Sequence, residues 1–223
     1  MIRALLIFAC AIFSLTQAQA SNQSTDPPMV EFFKGICGEW VGVCRQSTDG
    51  KFAEDKYFHA VVSETAAGSY EAKFEYFAID TNRTMIKIGG STITTTIASD
   101  GISATGTVVG NGEVLLDKKP KKQEHVVTEI LTCCKSGVLQ AKGSGSLKVY
   151  GLPLGVGQSG KVRDETSHWT LSNGALSITQ NMSIAFRALC FSKVFRVAAS
   201  YTAVRGKDFS QLCQVKSAAE SAR

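Results

Sequence analysis

Beyond its first twenty residues the chain has no apolar run approaching the roughly 20 residues that a bilayer-spanning helix needs, so no membrane span is expected. It holds only three histidines, His59, His125 and His168, none in a His-x-x-x-His pair, and it has no Cys-x-x-Cys. A structural zinc site is therefore not expected. Neither Gly-x-Ser-x-Gly nor His-Glu-x-x-His occurs, which removes the hydrolase elbow and the zinc-protease helix. The basic cluster Lys118–Lys122 has no aromatic residues interleaved in it, as base stacking would require, so no nucleic-acid partner is expected. A formal charge of +5 is mildly basic and selects no class of partner.

What is present begins with an export signal. Arg3 is the only charge before an apolar stretch from Ala4 to Leu15, and Ala18-Gln19-Ala20 supplies the small-x-small pattern cut by signal peptidases. Residues 1–20 are read as a signal peptide and the mature chain as secreted or periplasmic. Residues 21–29, polar and Pro-bearing, read as a loose leader. Cys10 leaves with the signal. Cys37, Cys44, Cys133, Cys134, Cys190 and Cys213 remain, an even set that suggests disulfides in an exported chain. Adjacent Cys133 and Cys134 point to opposite faces of a strand and should not join each other. Cys37 and Cys44 stand ~20 Å apart at strand rise and need other partners. Asn22, Asn82 and Asn181 head Asn-x-Ser/Thr triplets, acceptors for glycans in a eukaryotic secretory route.

From residue 30 onward the pattern is β. Tyr70, Ala72, Phe74 and Tyr76 alternate with Glu71, Lys73 and Glu75, and Leu139, Ala141, Gly143, Gly145, Leu147 and Val149 alternate with polar residues. Residues 175–186 set Leu176, Ile178, Met182, Ile184 and Phe186 on one face, and 194–205 do the same with Phe195, Val197, Ala199, Tyr201 and Ala203. Shorter Val-, Ile- and Thr-rich runs occupy 39–45, 56–64, 84–88, 92–98, 104–109 and 125–133. Turn signals between them include Thr48-Asp49-Gly50, Gly89-Gly90, Asp100-Gly101, Gly110-Asn111-Gly112 and Ser172-Asn173-Gly174. Roughly ten strands at hairpin spacing, with no βα units, predict an all-β fold: an antiparallel up-and-down barrel of roughly 8–10 strands over residues 30–208. Closure is favoured over a sandwich because it removes exposed edges. Short helical pieces are expected at Met29–Lys34 and in a C-terminal tail, residues 209–223.

Residues 30–44, Val-Glu-Phe-Phe-Lys-Gly-Ile-Cys-Gly-Glu-Trp-Val-Gly-Val-Cys, carry an aromatic-bearing turn leading into Gly38-Glu39-Trp40. Ala203-Val204-Arg205-Gly206 ends the last predicted strand. These two patches resemble the lipocalin-type (calycin) barrels. The resemblance implies that Trp40 plugs the closed end and that Arg205 packs over it. A count near ten strands is also similar to the fatty-acid-binding and nitrobindin-like groups. It further implies an interior cavity, with Tyr57, His59, Tyr70, Phe74, Tyr76, Leu139, Leu147, Ile178, Phe195 and Tyr201 as its expected lining.

Two motifs are set aside. Gly155-Val156-Gly157-Gln158-Ser159-Gly160-Lys161 satisfies Gly-x-Gly-x-x-Gly, but Val162 stands where a phosphate loop needs Ser or Thr, and no strong helix follows. It reads as a loop. Lys118–Lys122 reads as a solvated hairpin tip. The expectation is a barrel that holds a small hydrophobic or amphipathic ligand without a cofactor or metal. One alternative is a barrel isomerase or cyclase using Tyr70 and His59 as acid and base. Another is a filled barrel whose loops, Lys118–Lys122 and Leu152–Lys161, meet a partner.

Overall fold

The computed structural model describes residues 26–53, 55–80, 82–116, 119–134, 138–150, 158–188 and 191–209. The predicted signal peptide, Cys10, Asn22, Cys190, Cys213 and most of the tail lie outside these residues, as does most of the Leu152–Lys161 loop. The chain opens with α1 (Pro28–Ile36), followed by β1 (Gly38–Thr48), β2 (Lys51–Phe52), β3 (Lys56–Ala66), β4 (Ser69–Ile79), β5 (Met85–Ile97) and β6 (Ser103–Leu116). It continues with β7 (Lys119–Cys134), β8 (Val138–Val149), β9 (Gln158–Ser172), β10 (Ala175–Ala188) and β11 (Phe191–Arg205).

Strands β3 to β11 pair antiparallel with their sequence neighbours, β3 pairs with β1, and β1 pairs with β11. The ring is therefore a closed ten-stranded up-and-down barrel, with two-residue β2 attached to the end of β1. Hairpin chemistry explains several corners. Asn173 and Gly174 both take positive φ, as a two-residue turn matched to strand twist requires.

The count of about ten strands matches the sequence reading only because two differences offset each other: the runs expected at 84–88 and 92–98 are one strand, and a strand stands where none was expected. Gly89-Gly90 and Gly110-Asn111-Gly112 were expected as turns; they lie within β5 and β6. The reason is close approach: a Cβ at Gly89 would stand 2.6 Å from Gly112 Cα, and one at Gly110 would stand 2.9 Å from His125 Cε1. These glycines let neighbouring strands and side chains crowd together. The second difference is β9, which occupies residues 158–172, where the sequence reading places a loop at the start and no strand at all. Its alternation is broken by Asp164, held at φ 51 where the ladder shifts register against both β8 and β10. Such a bulge re-aims the residues beyond it.

One end of the barrel is sealed. Pro28 at the first turn presets helical φ, and Met29, Phe32, Phe33 and Ile36 recur on one face of α1 and are buried. That face packs with Trp40, Tyr70, Leu131, Leu139 and Leu176 in a closed core. Trp40 is fully buried and donates its indole N–H to Ile36 O at 2.7 Å. Arg205 lies over the indole, 4.6 Å from guanidinium carbon to ring centre. Its guanidinium also donates to Cys37 O at 2.8 Å and to Gly35 O. Gly38 is required here: its φ is +127, and a Cβ would meet Arg205 Nη1 at 2.7 Å. No described helix is long and apolar enough to cross a membrane.

Candidate functional site

Above the sealed end, a second apolar cluster forms around Val127, Leu147, Val149, Val162, Ile184, Phe186, Phe195 and Val197. Between the two cores lies a cavity of about 150 Å³. Its walls include Phe74, Ile93, Val127, Leu147, Trp169 and Ile178, and polar Gln46, Lys56, Asn111 and Gln123 also border it. Strand alternation supplies the lining, because every second residue turns inward.

The expected lining residues separate into three groups. Phe74, Tyr76, Leu147, Ile178 and Tyr201 border the cavity. Tyr70 and Leu139 sit deeper, in the sealed core, with Tyr70 stacked on Phe33 at 4.9 Å; Phe195 packs against Phe186 at 5.9 Å in the upper cluster. Tyr57 and His59 were expected inside and are instead on the outer wall. Phe58, Ala60 and Val62 take the buried face of β3, so period-two geometry turns their neighbours outward. Tyr57 meets Phe209 at 6.1 Å, and His59 lies 3.5 Å from Glu39.

The cysteines also depart from expectation. Cys37 and Cys44 were expected in disulfides and are free thiols. Cys44 points into the cavity, opposite Tyr201 in the ladder, where the phenol is its hydrogen-bond partner. Burial pushes its thiol up to about 11. Cys133 packs against the sealed core. The Cys134 side chain, Cys190 and Cys213 lie outside the described residues. Sequon residues Asn82 and Asn181 are exposed.

A polar band crosses this otherwise oily interior. The Tyr76 hydroxyl lies 3.1 Å from Ser91 Oγ, and burial raises the phenol to about 12. Tyr201 is raised well above the ordinary phenol value, first by burial and then by neighbouring Cys44 and Tyr76. His125 borders the same cavity, and burial lowers its pKa, which favours the neutral ring.

The strongest feature was absent from the sequence reading. Glu129 on β7 and Glu165 on β9 both border the cavity, each only 3% exposed. They flank Gly143 on the intervening β8. A Cβ at that glycine would meet Glu165 Oε2 at 2.9 Å and Glu129 Cγ at 3.1 Å. The missing side chain thus lets the carboxyls come within hydrogen-bond reach of each other. Gln180 donates to Glu165 Oε1. Burial, then the neighbouring Glu165 charge, raises Glu129 to about 8, while burial raises Glu165 as well. Two carboxylates this close and this dry hold one proton between them at neutral pH. The alternation of β7 was legible in Val127, Glu129 and Leu131, but the sequence reading places no strand over residues 158–172, and the bulge at Asp164 breaks the alternation that would have marked one.

Among the described residues no group of three His, Cys, Asp or Glu side chains is placed to hold a metal ion. No protein-family model matches the chain, and no curated protein matches it. Solved structures that align with the chain include the following two. Rv2717c from M. tuberculosis aligns over 82% of this chain and 99% of its own, at 11% identity and a TM-score of 0.49. The S-type phycobiliprotein lyase CPES from Guillardia theta aligns over 80% of this chain and 93% of its own, at 12% identity and a TM-score of 0.36. Likeness at this level says nothing of what this chain holds.

Proposed function

We propose that the barrel takes a small, largely apolar guest into the cavity between its two apolar clusters. The observation that carries this reading is the cavity of about 150 Å³ left between two dense apolar clusters. An apolar space of about this size accepts a single aromatic ring in other proteins. The guest gains ~25 cal/mol for each Å² of apolar surface removed from water, and Tyr76, Tyr201 and the carboxyl pair orient its polar end.

An NMR titration with toluene tests this reading. Binding shifts the backbone amides of Ile178, Val197 and Tyr201 and leaves those of α1 in place. A spectrum unchanged up to the solubility limit of toluene would remove the reading. The enzymatic alternative built on Tyr70 and His59 loses its basis, because one lies in the sealed core and the other on the outer wall. We also propose export with cleavage after Ala20, on the strength of the leader pattern. Intact mass of the mature protein checks it; a chain still beginning at Met1 would contradict it.

A further inference from the structure

We propose that Glu129 and Glu165 form an ammonium subsite in the cavity wall, so that the guest of this barrel is a small amine carrying an apolar body. This rests on the cavity reading above and names the chemistry of the guest. Both carboxyls are 3% exposed, the Oε2 atom of each has no hydrogen-bond partner, and the two side chains act on each other. No basic side chain of the described residues acts on either. A buried carboxylate without a counter-ion is costly, and an apolar pair of similar volume would be more stable in that place. The arrangement therefore supplies what an incoming cation lacks after leaving water: two acid oxygens, side by side, at the edge of an apolar chamber.

The stoichiometry of charge is simple. Without a guest, one proton lies between the two acids and the pair carries one negative charge. An ammonium donates N–H bonds to both Oε2 atoms and takes the place of that proton, which leaves to solvent. Two carboxylates and one ammonium again carry one net negative charge, so the chamber takes up the cation without a change in its electrostatic balance. Gln180 keeps Glu165 aimed inward through the exchange by holding Oε1. Trp169 and Ile178 line the same space and would enclose the apolar body. A carboxylate guest would meet repulsion at the same point.

The other titratable groups bordering the cavity are Cys44 on β1, Lys56 on β3, Tyr76 on β4, His125 on β7 and Tyr201 on β11; β8 contributes none. Cys44, Tyr76 and Tyr201 are held protonated by burial, and His125 is held neutral. The proton released on binding therefore comes from the carboxyl pair, and affinity for an amine rises with pH up to the point where the pair loses that proton unaided.

Benzylamine, toluene and benzoate provide three probes of one shape and three charges. NMR titrations at pH 7 are expected to show benzylamine binding at least tenfold more tightly than toluene, with benzoate excluded. The Glu129→Gln/Glu165→Gln double variant keeps the shape of both side chains and removes their charge. In it the preference for benzylamine over toluene should be lost. Equal affinity for benzylamine and toluene in the natural chain, or a preference that survives in the double variant, overturns the ammonium subsite and leaves the cavity reading intact. If toluene and benzylamine both fail to bind, the cavity reading falls first.

Discussion

Arg205, the last residue of β11, covers Trp40 near the start of β1, with its guanidinium carbon 4.6 Å from the indole centre. The two are also direct partners in the ladder that closes the barrel. A single side chain thus joins the seam of the barrel to its plug, because the same guanidinium donates to Gly35 O in the last turn of α1 and to Cys37 O just after it. Replacing Arg205 by Ala removes a cation over a ring and leaves two carbonyls without their donor. The expected loss is about 2 kcal/mol, read as a shift in the urea midpoint. Lys at this position should recover less than half, since an ammonium lacks the planar fork. An unchanged midpoint in Arg205→Ala would show that the plug holds without the clamp.

Much of this seam was legible. Gly38-Glu39-Trp40 and Arg205 stand where a closed barrel needs them, and period-two alternation placed Phe74, Tyr76, Leu147, Ile178 and Tyr201 on inward faces. The wall of β3 was misread because Tyr57 and His59 are the larger, more distinctive side chains, whereas the buried face belongs to Phe58, Ala60 and Val62. The carboxyl pair was hidden for a different reason. Glu129 and Glu165 meet only through a glycine on a third strand, and the register that brings them together depends on a bulge that no local pattern announces.

The shared proton makes stability depend on pH in an unusual direction. Glu129 is raised to about 8, against about 4.3 for an unfolded Glu. Between those values the folded chain keeps a proton that the unfolded chain releases, so stability falls as pH rises across that window and levels above it. His125, lowered by burial, works the other way up to about pH 6.5. Comparing Glu129→Gln with the natural chain cancels that contribution. Urea midpoints at pH 5 and pH 8 should show the natural chain losing more stability than the variant over this interval. Parallel behaviour of the two would show that the pair does not retain a proton.

Gly143 and Gly145 on β8 should respond differently to Ala. At Gly145 the added methyl would collide with the backbone of β7 at Val126 O and would stand 2.7 Å from Val127 Cα. Backbone atoms in a paired strand cannot retreat without breaking ladder bonds, so a cost of about 3 kcal/mol is expected. At Gly143 the new neighbours are the side chains of Glu129, Glu165 and Val127, which can shift. Gly143→Ala should therefore unfold at a higher urea midpoint than Gly145→Ala. It should also part the carboxyls, lowering the pH at which Glu129 titrates in a carbon-13 NMR experiment. Equal destabilisation by both substitutions would count against the tight approach of β7 and β8 at Gly145.

Cys44 offers a chemical report on the chamber. Its thiol borders the cavity and is pushed up to about 11 by burial, so at pH 8 only about one molecule in a thousand carries the reactive thiolate. Cys37 is only partly buried, and its pKa is raised chiefly by burial. Iodoacetamide at pH 8, followed by peptide mapping, should modify Cys37 at least tenfold faster than Cys44. Toluene should slow Cys44 further by occupying the space through which the reagent must pass, and should leave Cys37 unaffected. The contrast matters more than either rate, because global unfolding would expose both thiols together and erase it. Were Cys44 to react as quickly as Cys37 in the folded protein, burial in the chamber wall could not be what holds its thiol back, and the chamber would be open to reagent as far as Cys44.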